Sequence, residues 1–448
     1  MTSALEQARA VVTTDKAFNL PYRELLPLQI AAVNELLGKL RERIPLLDKR
    51  AKEAGVTAIS RPEEATPLLF PHTSYKSYPQ AFLQKGQWDK MFQWTRTVAA
   101  IPTGKVDFSD VGNFDQWIAR MWEAGNRLSI TSGTSGKPSI LNANAEDHER
   151  LAVVLKNITG DFERQRVKPD QSRHYFQCMP KEGPYAVNVM AKFYAGFFGR
   201  PDSIHYISDE PLTVAQVTRA IDFRNRMAEG SLTPQEIAAF EAENVARQQD
   251  MEQSMDRMVN KLIEVRREPI YLMGVWPQVW QFVERMRKLG IQPGEFHPDS
   301  VVAAGGGRKG ANIPEDFEEQ IIDFLNPKLY RNRGYGMSEM AGSYKGCEAG
   351  RFHQMPTMLT CLMDDVGERV LEQKGVITGR FAFIDLNFEG RWGGLITGDR
   401  VSIDFSDTCP CGRPGPTLLP DIVRYKDIGD DKIGCAGTID SYISGTLA

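Results

Sequence analysis

A short segment rich in glycine, hydroxyl residues and lysine stands between two apolar stretches. It reads Ser129-Ile-Thr-Ser-Gly-Thr-Ser-Gly-Lys-Pro-Ser139. Glycine lets the backbone approach a ligand closely, N–H groups and hydroxyls donate to phosphate oxygens, and lysine supplies positive charge. The spacing is not that of a Walker A loop, because Thr131 stands at the first glycine position and Pro138 follows Lys137. The segment predicts a phosphate-binding loop, with a surface hairpin turn as the alternative.

Three further motifs follow in order: Ala304-Gly-Gly-Gly-Arg-Lys309, Tyr335-Gly-Met-Ser-Glu339 and Ile396-Thr-Gly-Asp-Arg400. Together with the first segment they resemble the adenylate-forming superfamily, over about residues 129–437. The Thr-Ser-Gly-Lys-Pro-Ser form is similar to the phenylacetate–CoA ligase branch. The triple-glycine motif and the C-terminus are more similar to the acyl-protein synthetase of bacterial luminescence. The resemblance implies an α/β fold, the large N-terminal domain of these enzymes, with multi-layer sheets and flanking helices.

The resemblance also implies a role for each motif. Tyr335 would stack on adenine, Ser338 would touch the α-phosphate, and Asp399 would take the ribose hydroxyls. Lys137 and Glu339 become catalytic candidates, with Glu339 on Mg²⁺, because negative charge on the phosphates must be neutralised. The implied nucleotide-binding residues are Thr131, Ser132, Gly133, Thr134, Ser135, Gly136, Gly305, Gly306, Gly307, Tyr335, Gly336, Ser338 and Asp399.

Cysteine and histidine form a second constellation. Cys347 and His353 follow the glutamate motif, and Cys409-Pro-Cys411-Gly-Arg follows the aspartate motif. Three thiols and one imidazole match a closed tetrahedral zinc site, and some phenylacetate–CoA ligase relatives resemble this pattern. The sequence therefore predicts a structural zinc ion. Cys361 is the competing fourth ligand, separately packed side chains are the alternative to a metal, and His353 could instead act as a general base.

The end of the chain departs from the superfamily pattern. Only 13 residues follow Cys435, so the usual small C-terminal domain is expected to be absent, and CoA-thioester formation by this chain alone is in doubt. The acyl-protein synthetase also ends soon after this region and carries an acylated cysteine in a Gly-Cys setting like Gly434-Cys435. Cys435 is therefore a candidate catalytic acyl carrier, with a buried structural thiol as the alternative.

Composition limits the remaining classes. The chain has 448 residues, 42% apolar, with 54 basic and 58 acidic residues, which favours an enzyme-sized core and no nucleic-acid partner. No apolar run approaches the roughly 18 residues of a membrane span. The first residues, Met1-Thr-Ser-Ala-Leu-Glu-Gln, lack the basic-then-apolar pattern of a signal peptide, and six cysteines in so long a chain do not indicate a disulfide framework, so we expect a cytoplasmic protein.

Periodic patterns predict the elements that position these motifs. Apolar residues at helical spacing predict helices over Arg23–Lys52. Thr233-Pro-Gln-Glu236 predicts a capping box that opens a helix whose methionine stripe packs in the core. Strands are expected at Tyr175-Phe176, Ile270–Met273 and Val301–Ala304. By composition and motifs, the predicted divisions are residues 1–125, a helical and mixed segment; 126–423, the adenylate-forming core with the ATP site; and 424–448, a hinge-like tail.

The sequence thus predicts an ATP-dependent ligase that activates a carboxylic acid as acyl-AMP. Transfer of the acyl group to Cys435, and then to an acyl reductase or another acyl-accepting protein, is the preferred second step. An aryl- or acyl-CoA ligase that uses CoA is the first alternative. A non-catalytic nucleotide-binding subunit is the second.

Overall fold

The structure is a computed structural model that describes residues 2–102, 104–131, 137–159, 167–308, 311–327, 330–331, 334–429 and 433. Contacts divide the chain into two compact units. Unit 1 is formed by Met1–Ile158 with Arg333–Ala448, and unit 2 by Thr159–Asn332. The divisions expected at residues 125 and 423 rest on composition and motifs, and they stay a prediction. No described helix combines the length and apolarity that crossing a membrane requires.

Helices are distributed over both units. The α-helices of the described chain are α1 (Ala4–Ala10), α2 (Tyr22–Leu40), α3 (Pro45–Glu53), α4 (Gln80–Gln84), α5 (Trp88–Val98), α6 (Phe114–Glu123), α7 (Ala145–Ile158), α8 (Ala186–Phe198), α9 (Val214–Ala228), α10 (Pro234–Glu264), α11 (Trp276–Lys288) and α12 (Phe317–Leu325). Short 3₁₀ turns cover Val11–Thr13, Pro62–Leu68, His72–Lys76 and Tyr425–Asp427.

Within the described residues the strands form three sheets. They are β1 (Phe70–Pro71), β2 (Ser129–Ile130), β3 (Ile140–Leu141), β4 (Arg173–Gln177), β5 (Gly199–Tyr206), β6 (Ile270–Val275), β7 (Val301–Gly305), β8 (Tyr330–Arg331), β9 (Gly334–Tyr335), β10 (Tyr344–Gly346), β11 (Phe352–His353), β12 (Met358–Met363), β13 (Val376–Asp385), β14 (Gly394–Asp404), β15 (Thr417–Leu418) and β16 (Val423–Arg424).

The helical stripe at the N-terminus forms α2 and α3, as predicted. Its apolar positions, such as Val33, Leu37 and Leu40, are fully buried. Pro45 is the first residue of α3, where the missing N–H removes no helical hydrogen bond. Pro27 lies inside α2, which continues past it. The stripe therefore packs on the body of unit 1.

Unit 1 contains a nine-stranded sheet built around the antiparallel strands β12, β13 and β14. Strand β14 pairs with β13 along one edge, and its other edge is shared in turn by β1, β16 and β15. From β15 the sheet continues through β11 and β10 to β9. All seven last residues of β13 are buried, so this sheet forms a core of unit 1.

Unit 2 is a three-layer structure around a parallel sheet of order β5-β4-β6-β7-β8. Neighbouring residues of each central strand face opposite layers, because side chains alternate along a strand. One face packs on α10, α11 and α12, and the other packs on α8. The predicted capping box at Thr233 opens α10. The later methionines of its stripe, Met255 and Met258, are buried, whereas Met251 is exposed. The three strands expected in this unit are confirmed as β4, β6 and β7.

Candidate functional site

The phosphate-loop segment lies on a hairpin whose strands are β2 and β3. Thr131 closes its base: the Thr131 N–H donates to the Ser139 carbonyl at 3.1 Å, and the Ser139 N–H donates to Thr131 Oγ1 at 2.9 Å. The Lys137 ammonium donates to the Tyr78 carbonyl at 2.5 Å and lies 4.8 Å from the centre of the Tyr78 ring. Thr131 is therefore hydrogen-bonded to Ser139 across the base of the hairpin, and Lys137 is held beside Tyr78. The predicted residues Ser132, Gly133, Thr134, Ser135 and Gly136 lie outside the described residues.

Tyr335 and Asp399, which are 64 positions apart, meet in unit 1. The Tyr335 hydroxyl donates to Asp399 Oδ2 at 2.7 Å. The Tyr335 ring also makes edge contacts with Tyr344 and Phe381. Burial, together with the Asp399 charge, raises the pKa of Tyr335 well above its ordinary value, so this phenol stays protonated at neutral pH. Two residues predicted to bind adenine and ribose are thus direct neighbours.

Glu339 lies close to a second lysine, Lys76, which sequence reasoning missed. Burial raises the pKa of the half-buried Glu339 carboxyl, and the positive charges of Arg391 and Lys76 oppose that rise. The Asp399 charge also acts on Glu339, so both acidic residues belong to one electrostatic environment. The Arg391 guanidinium donates to the Glu339 carbonyl at 3.0 Å, which fixes the backbone there.

Segment 76–78 is associated with both the phosphate-loop hairpin and Glu339. The Lys76 charge acts on Glu339, while the Tyr78 carbonyl accepts from Lys137 and the Tyr78 hydroxyl donates to the Pro138 carbonyl at 3.0 Å. Lys137 contacts segment 76–78, and Glu339 lies within the electrostatic influence of the same segment. The aromatic cluster Tyr75-Lys-Ser-Tyr78 is the sequence signal that could have drawn attention to Lys76.

The glycines of the motifs are required for different physical reasons. A Cβ on Gly336 would stand 3.0 Å from the Ser343 Cβ and 3.1 Å from the Gly342 carbonyl oxygen, so the backbone is closely covered there. In unit 2, Gly306 and Gly307 have φ values of +88° and +52°, which favour glycine. A Cβ on Gly305 or Gly307 would meet nothing within 4 Å, so this backbone lies open at the end of β7. The half-buried Ser338 lies within the motif that leads to Glu339.

The predicted metal ligands come together. The donor atoms of Cys347, His353, Cys409 and Cys411 all lie within 4.8 Å of one another, and they form the one such group found among the described residues. The Cys347 and Cys409 sulfurs are 3.8 Å apart, and Cys411 Sγ is 3.3 Å from His353 Nε2. Two sulfurs on one tetrahedral zinc ion, each at about 2.3 Å, stand about 3.8 Å apart. The donor set and its spacing therefore fit zinc. Cys361, the competing ligand, is buried on β12 outside this group.

Two turns with the same sequence pattern present these ligands. Both read Cys-x-x-Gly-Arg, at 347–351 and 409–413. In each turn the cysteine N–H donates to the arginine carbonyl, at 2.9 and 3.0 Å, and the glycine N–H donates back to the cysteine carbonyl. Gly350 and Gly412 have φ values of +72° and +84°, which explains why glycine stands there.

Electrostatics at the group suit a metal. Burial, followed by the Arg413 charge, lowers the pKa of His353 to about 4, so its ring is neutral at pH 7, as a ligand must be. Burial raises the pKa of Cys409 to about 12. Burial also opposes ionisation of Cys411, but hydrogen bonds led by the Arg413 backbone hold its pKa below the ordinary value. The turns are further joined by Arg413, whose Nη1 lies 3.1 Å from both oxygens of Glu348.

The nucleotide residues and the metal residues lie on the same strands. The path β14-β15-β11-β10-β9 curls round, since Tyr335 on β9 reaches Asp399 on β14. We call these five the curled strands. One Cys-x-x-Gly-Arg turn joins β10 to β11, and the other lies between β14 and β15. The metal group therefore ties together the two connections of the curled strands, and the Tyr335–Asp399 hydrogen bond joins their outer members.

The C-terminal segment contributes a residue that sequence reasoning also missed. Strand β16 pairs with β14, which brings Arg424 opposite Asp399 with Nε 3.7 Å from Asp399 Oδ1. Arg424 lies well beyond the Thr-Gly-Asp motif in the sequence, and no sequence pattern marks it. Cys435, the predicted acyl carrier, lies outside the described residues.

Comparison with known proteins identifies the fold. No family model matches the sequence, and no curated protein matches it either. Among solved structures, the matches share the fold of the acyl-CoA ligases, which confirms the predicted adenylate-forming fold.

Two of the solved structures that this chain resembles are of 2-hydroxyisobutyryl-CoA ligase. Its open conformation, in complex with 2-HIB-AMP and CoA, matches with a TM-score of 0.55 at 14% identity, over 92% of this chain and 77% of that chain. Its thioesterification state matches with a TM-score of 0.58 at 14% identity, over 91% and 70% of the two chains. At this identity the likeness establishes the fold alone.

Proposed function

We propose that the protein activates a carboxylic acid with ATP, forms an acyl-AMP, and transfers the acyl group to a thiol. The carrying observation is that unit 1 gathers the residues of three separate motifs: Lys137 with segment 76–78, Glu339 with Lys76, and Tyr335 with Asp399. A surface hairpin turn alone would not require the other two motifs to be its neighbours. The fold shared with acyl-CoA ligases supports the same reaction class.

The chemistry requires positive charge around the phosphates of ATP. A carboxylate oxygen attacks the α-phosphorus, the bond to the β-phosphate oxygen breaks, and pyrophosphate leaves. Lys137, from the hairpin, holds the β- and γ-phosphates. Lys76, whose charge acts on Glu339, would provide a second cation. Such preorganised charges stabilise a transition state most strongly where water is excluded.

Glu339 would hold Mg²⁺, the metal that this fold family uses with ATP. Carboxylate oxygen is the ligand type that Mg²⁺ prefers, and the desolvated Glu339 carboxylate gains most from a nearby divalent charge. When bound, the ion would neutralise phosphate charge. Asp399 accepts from the ribose hydroxyls, Tyr335 contacts the adenine, and Ser338 contacts the α-phosphate.

The Cys-x-x-Gly-Arg turns would hold a structural zinc ion. Three sulfurs and one nitrogen complete a closed tetrahedral set, which leaves no position for a substrate. The site therefore contributes to stability and to the shape of the curled strands, and His353 acts as a ligand and not as a general base.

Two thiols are candidates for the acceptor of the acyl group. Cys435 is the proposed acceptor by resemblance to the acyl-protein synthetase, with an acyl reductase or a related protein as the partner. CoA is the second candidate, favoured by the fold shared with CoA ligases. In both cases a thiolate attacks the acyl carbonyl carbon and AMP leaves with the bonding electron pair.

A panel of carboxylic acids in an ATP–pyrophosphate exchange assay tests the first step. Exchange that depends on one class of acid supports the ligase, while nucleotide binding without exchange for any acid would leave the non-catalytic subunit. The second step is tested with radiolabelled acid and ATP. We expect hydroxylamine-sensitive label on the protein that is lost in Cys435→Ser and kept in Cys361→Ser, with exchange intact in both. Absence of protein label, with acyl-CoA formed on adding CoA, would establish the CoA ligase instead.

A further inference from the structure

A serine of unit 2 lies between two histidines at the edge of the parallel sheet. Ser203 Oγ, on β5, is 2.6 Å from His174 Nδ1 and 2.9 Å from His205 Nε2. The other nitrogen of the first ring, His174 Nε2, is 3.0 Å from Glu268 Oε2. A hydroxyl, an imidazole and a carboxylate therefore form a continuous chain of hydrogen bonds. These residues belong to none of the motifs assigned to the nucleotide or the metal.

The charges around His174 select its tautomer. An imidazole nitrogen that faces an ionised carboxylate carries its proton, because a lone pair there would be repelled. The His174 hydrogen bond, aided by the Arg200 charge, holds the pKa of Glu268 below its ordinary value, so this carboxylate is ionised at neutral pH. Arg200 Nη1 is 3.0 Å from Glu268 Oε2 and 3.2 Å from His174 Nε2, and it donates to the carboxylate, which is the stronger acceptor. With Nε2 protonated, His174 Nδ1 presents a lone pair to Ser203.

His205 contacts the same hydroxyl oxygen from another direction. Burial, followed by the charge of Lys261, lowers the pKa of His205, so its ring is neutral at pH 7. Since the Ser203 hydroxyl donates its proton to His174, its oxygen accepts from His205, whose single ring proton is then on Nε2. Ser203 thus has a base at its proton and an N–H donor beside its oxygen.

The edge of the sheet provides a second N–H donor next to the serine. Within the described chain, β5 is the last strand of its sheet and pairs with β4 on one side only. The N–H groups of a strand point alternately to its two sides, and the Ile207 N–H donates to the Gln177 carbonyl of β4. The Ile204 N–H, three positions earlier, therefore points away from β4. It belongs to the residue after Ser203, and an N–H in that position stabilises the oxyanion in many serine hydrolases.

We propose that Ser203, His174 and Glu268 form a second catalytic site, which hydrolyses small acyl esters or thioesters. The arrangement is that of an activated nucleophile: a hydroxyl within hydrogen-bond distance of a base, and a third group that orients the base. Ser203 Oγ attacks the acyl carbonyl carbon and its proton passes to His174 Nδ1. The bond to the leaving alcohol or thiol breaks, and that group departs with the proton.

Water completes the cycle through the same base. It attacks the acyl-serine and gives a proton to His174, and the returning proton restores the Ser203 hydroxyl as the carboxylic acid leaves. No other reactant is needed. Ser203 is 6% exposed, so only a small acyl group fits this site.

The experiment uses the full chain without ATP, so it is independent of the proposed ligase activity. A fluorophosphonate probe, which reacts with activated serines, is added, and the labelled peptide is identified by mass spectrometry. We expect label on Ser203, lost in Ser203→Ala and kept in Ser172→Ala. Ser172 is the matched control, because it is a more exposed serine whose hydroxyl bonds to the Asp170 carboxylate in place of an imidazole. Hydrolysis of p-nitrophenyl acetate should depend on the same serine.

The two partners of the serine test the mechanism separately. His174→Gln removes the base, so the rates of labelling and of ester hydrolysis should fall by about 10²-fold or more. Glu268 is a positioning residue. Glu268→Gln should therefore lower kcat with KM unchanged, and Glu268→Asp should recover part of the loss because it keeps the carboxylate. Melting temperatures of all variants show whether each one is folded.

Other outcomes overturn the assignment. Label spread evenly over exposed serines, or equal labelling of the wild type and folded His174→Gln, would make Ser203 an ordinary hydroxyl in a structural network. Absence of label on the folded wild-type protein would reject the site without any variant. Each of these results leaves the proposed ligase standing, since acid-dependent pyrophosphate exchange is measured separately on the same preparation.

Discussion

The curled strands end in two regions of contrasting construction. At the metal group, two copies of one five-residue turn present the cysteines, and their backbone hydrogen bonds lie within each turn. At the nucleotide residues, the contacts join distant parts of the chain: Tyr335 with Asp399, and Lys137 with Tyr78. The conformation of each cysteine turn is therefore encoded mostly by local sequence, whereas the contacts of the nucleotide residues are set by tertiary structure.

This difference explains what could be read from the chain. A Cys-x-x-Gly-Arg pattern contains its own geometry, since glycine at a positive φ lets the turn close on the cysteine. The aromatic cluster around Lys76 does not contain its own geometry in this way, and Arg424 has no local signature at all. Their positions follow from a 3₁₀ turn and from the pairing of β16 with β14, which depend on the folded sheet.

Among the substitutions that distinguish the nucleotide residues from the metal group, Glu339→Gln should have the largest effect. Loss of the proposed Mg²⁺ ligand should lower acid-dependent pyrophosphate exchange by about 10²-fold or more, the usual scale of lost electrostatic stabilisation. Zinc content and melting temperature should stay unchanged, because Glu339 lies outside the metal group. Exchange rates and metal analysis on the same preparation measure both.

Glu368→Gln serves as the control, since Glu368 is an exposed glutamate of the same unit. Its exchange rate should equal that of the wild type. Near-normal exchange in Glu339→Gln would contradict the role given to this carboxylate.

Cys411→Ser should change zinc content and melting temperature, the two properties that Glu339→Gln leaves unchanged. Removing one of three sulfurs should reduce zinc from about one ion per chain to a small fraction. Because metal binding to a folded site contributes folding free energy, the melting temperature should fall by several degrees. Metal analysis by mass spectrometry and calorimetry check the two results.

Cys361→Ala is the matched control, as it removes a buried thiol of unit 1 outside the group. It should lower stability through lost packing but leave zinc content unchanged. Full stability of metal-free wild-type protein would reject a structural role for the ion.

The smallest effect is expected for Glu348→Gln, which weakens the ion pair between the two turns. Glu348 and Arg413 are partly exposed, so the pair should contribute no more than about 1 kcal/mol. Zinc affinity, measured by competition with a chromogenic chelator, should fall by a few-fold at most. A loss as large as that of Cys411→Ser would show that the turns depend on tertiary contacts as much as the nucleotide residues do.

Elements with strong periodicity were predictable, and elements that depend on distant pairing were not. The stripe of α2 and α3 and the capping box of α10 were correct, because both follow from neighbouring residues. The exposure of Met251 was not foreseen, since the early part of α10 has the same methionine spacing as its buried end. The closeness of Tyr335 to Asp399 required the resemblance, because the two lie 64 residues apart.

The distance along the chain between the two cysteine turns sets an order of assembly. Cys347 and Cys409 are 62 residues apart, and the paired strands β12, β13 and β14 lie between them. Each turn alone offers too few ligands for a closed site, so the ion gains its full coordination only after those strands have paired. Closing such a long loop has an entropic cost that the sheet contacts must first offset. Zinc would therefore bind late in folding. It would stabilise a sheet that has already formed, and it would not nucleate that sheet.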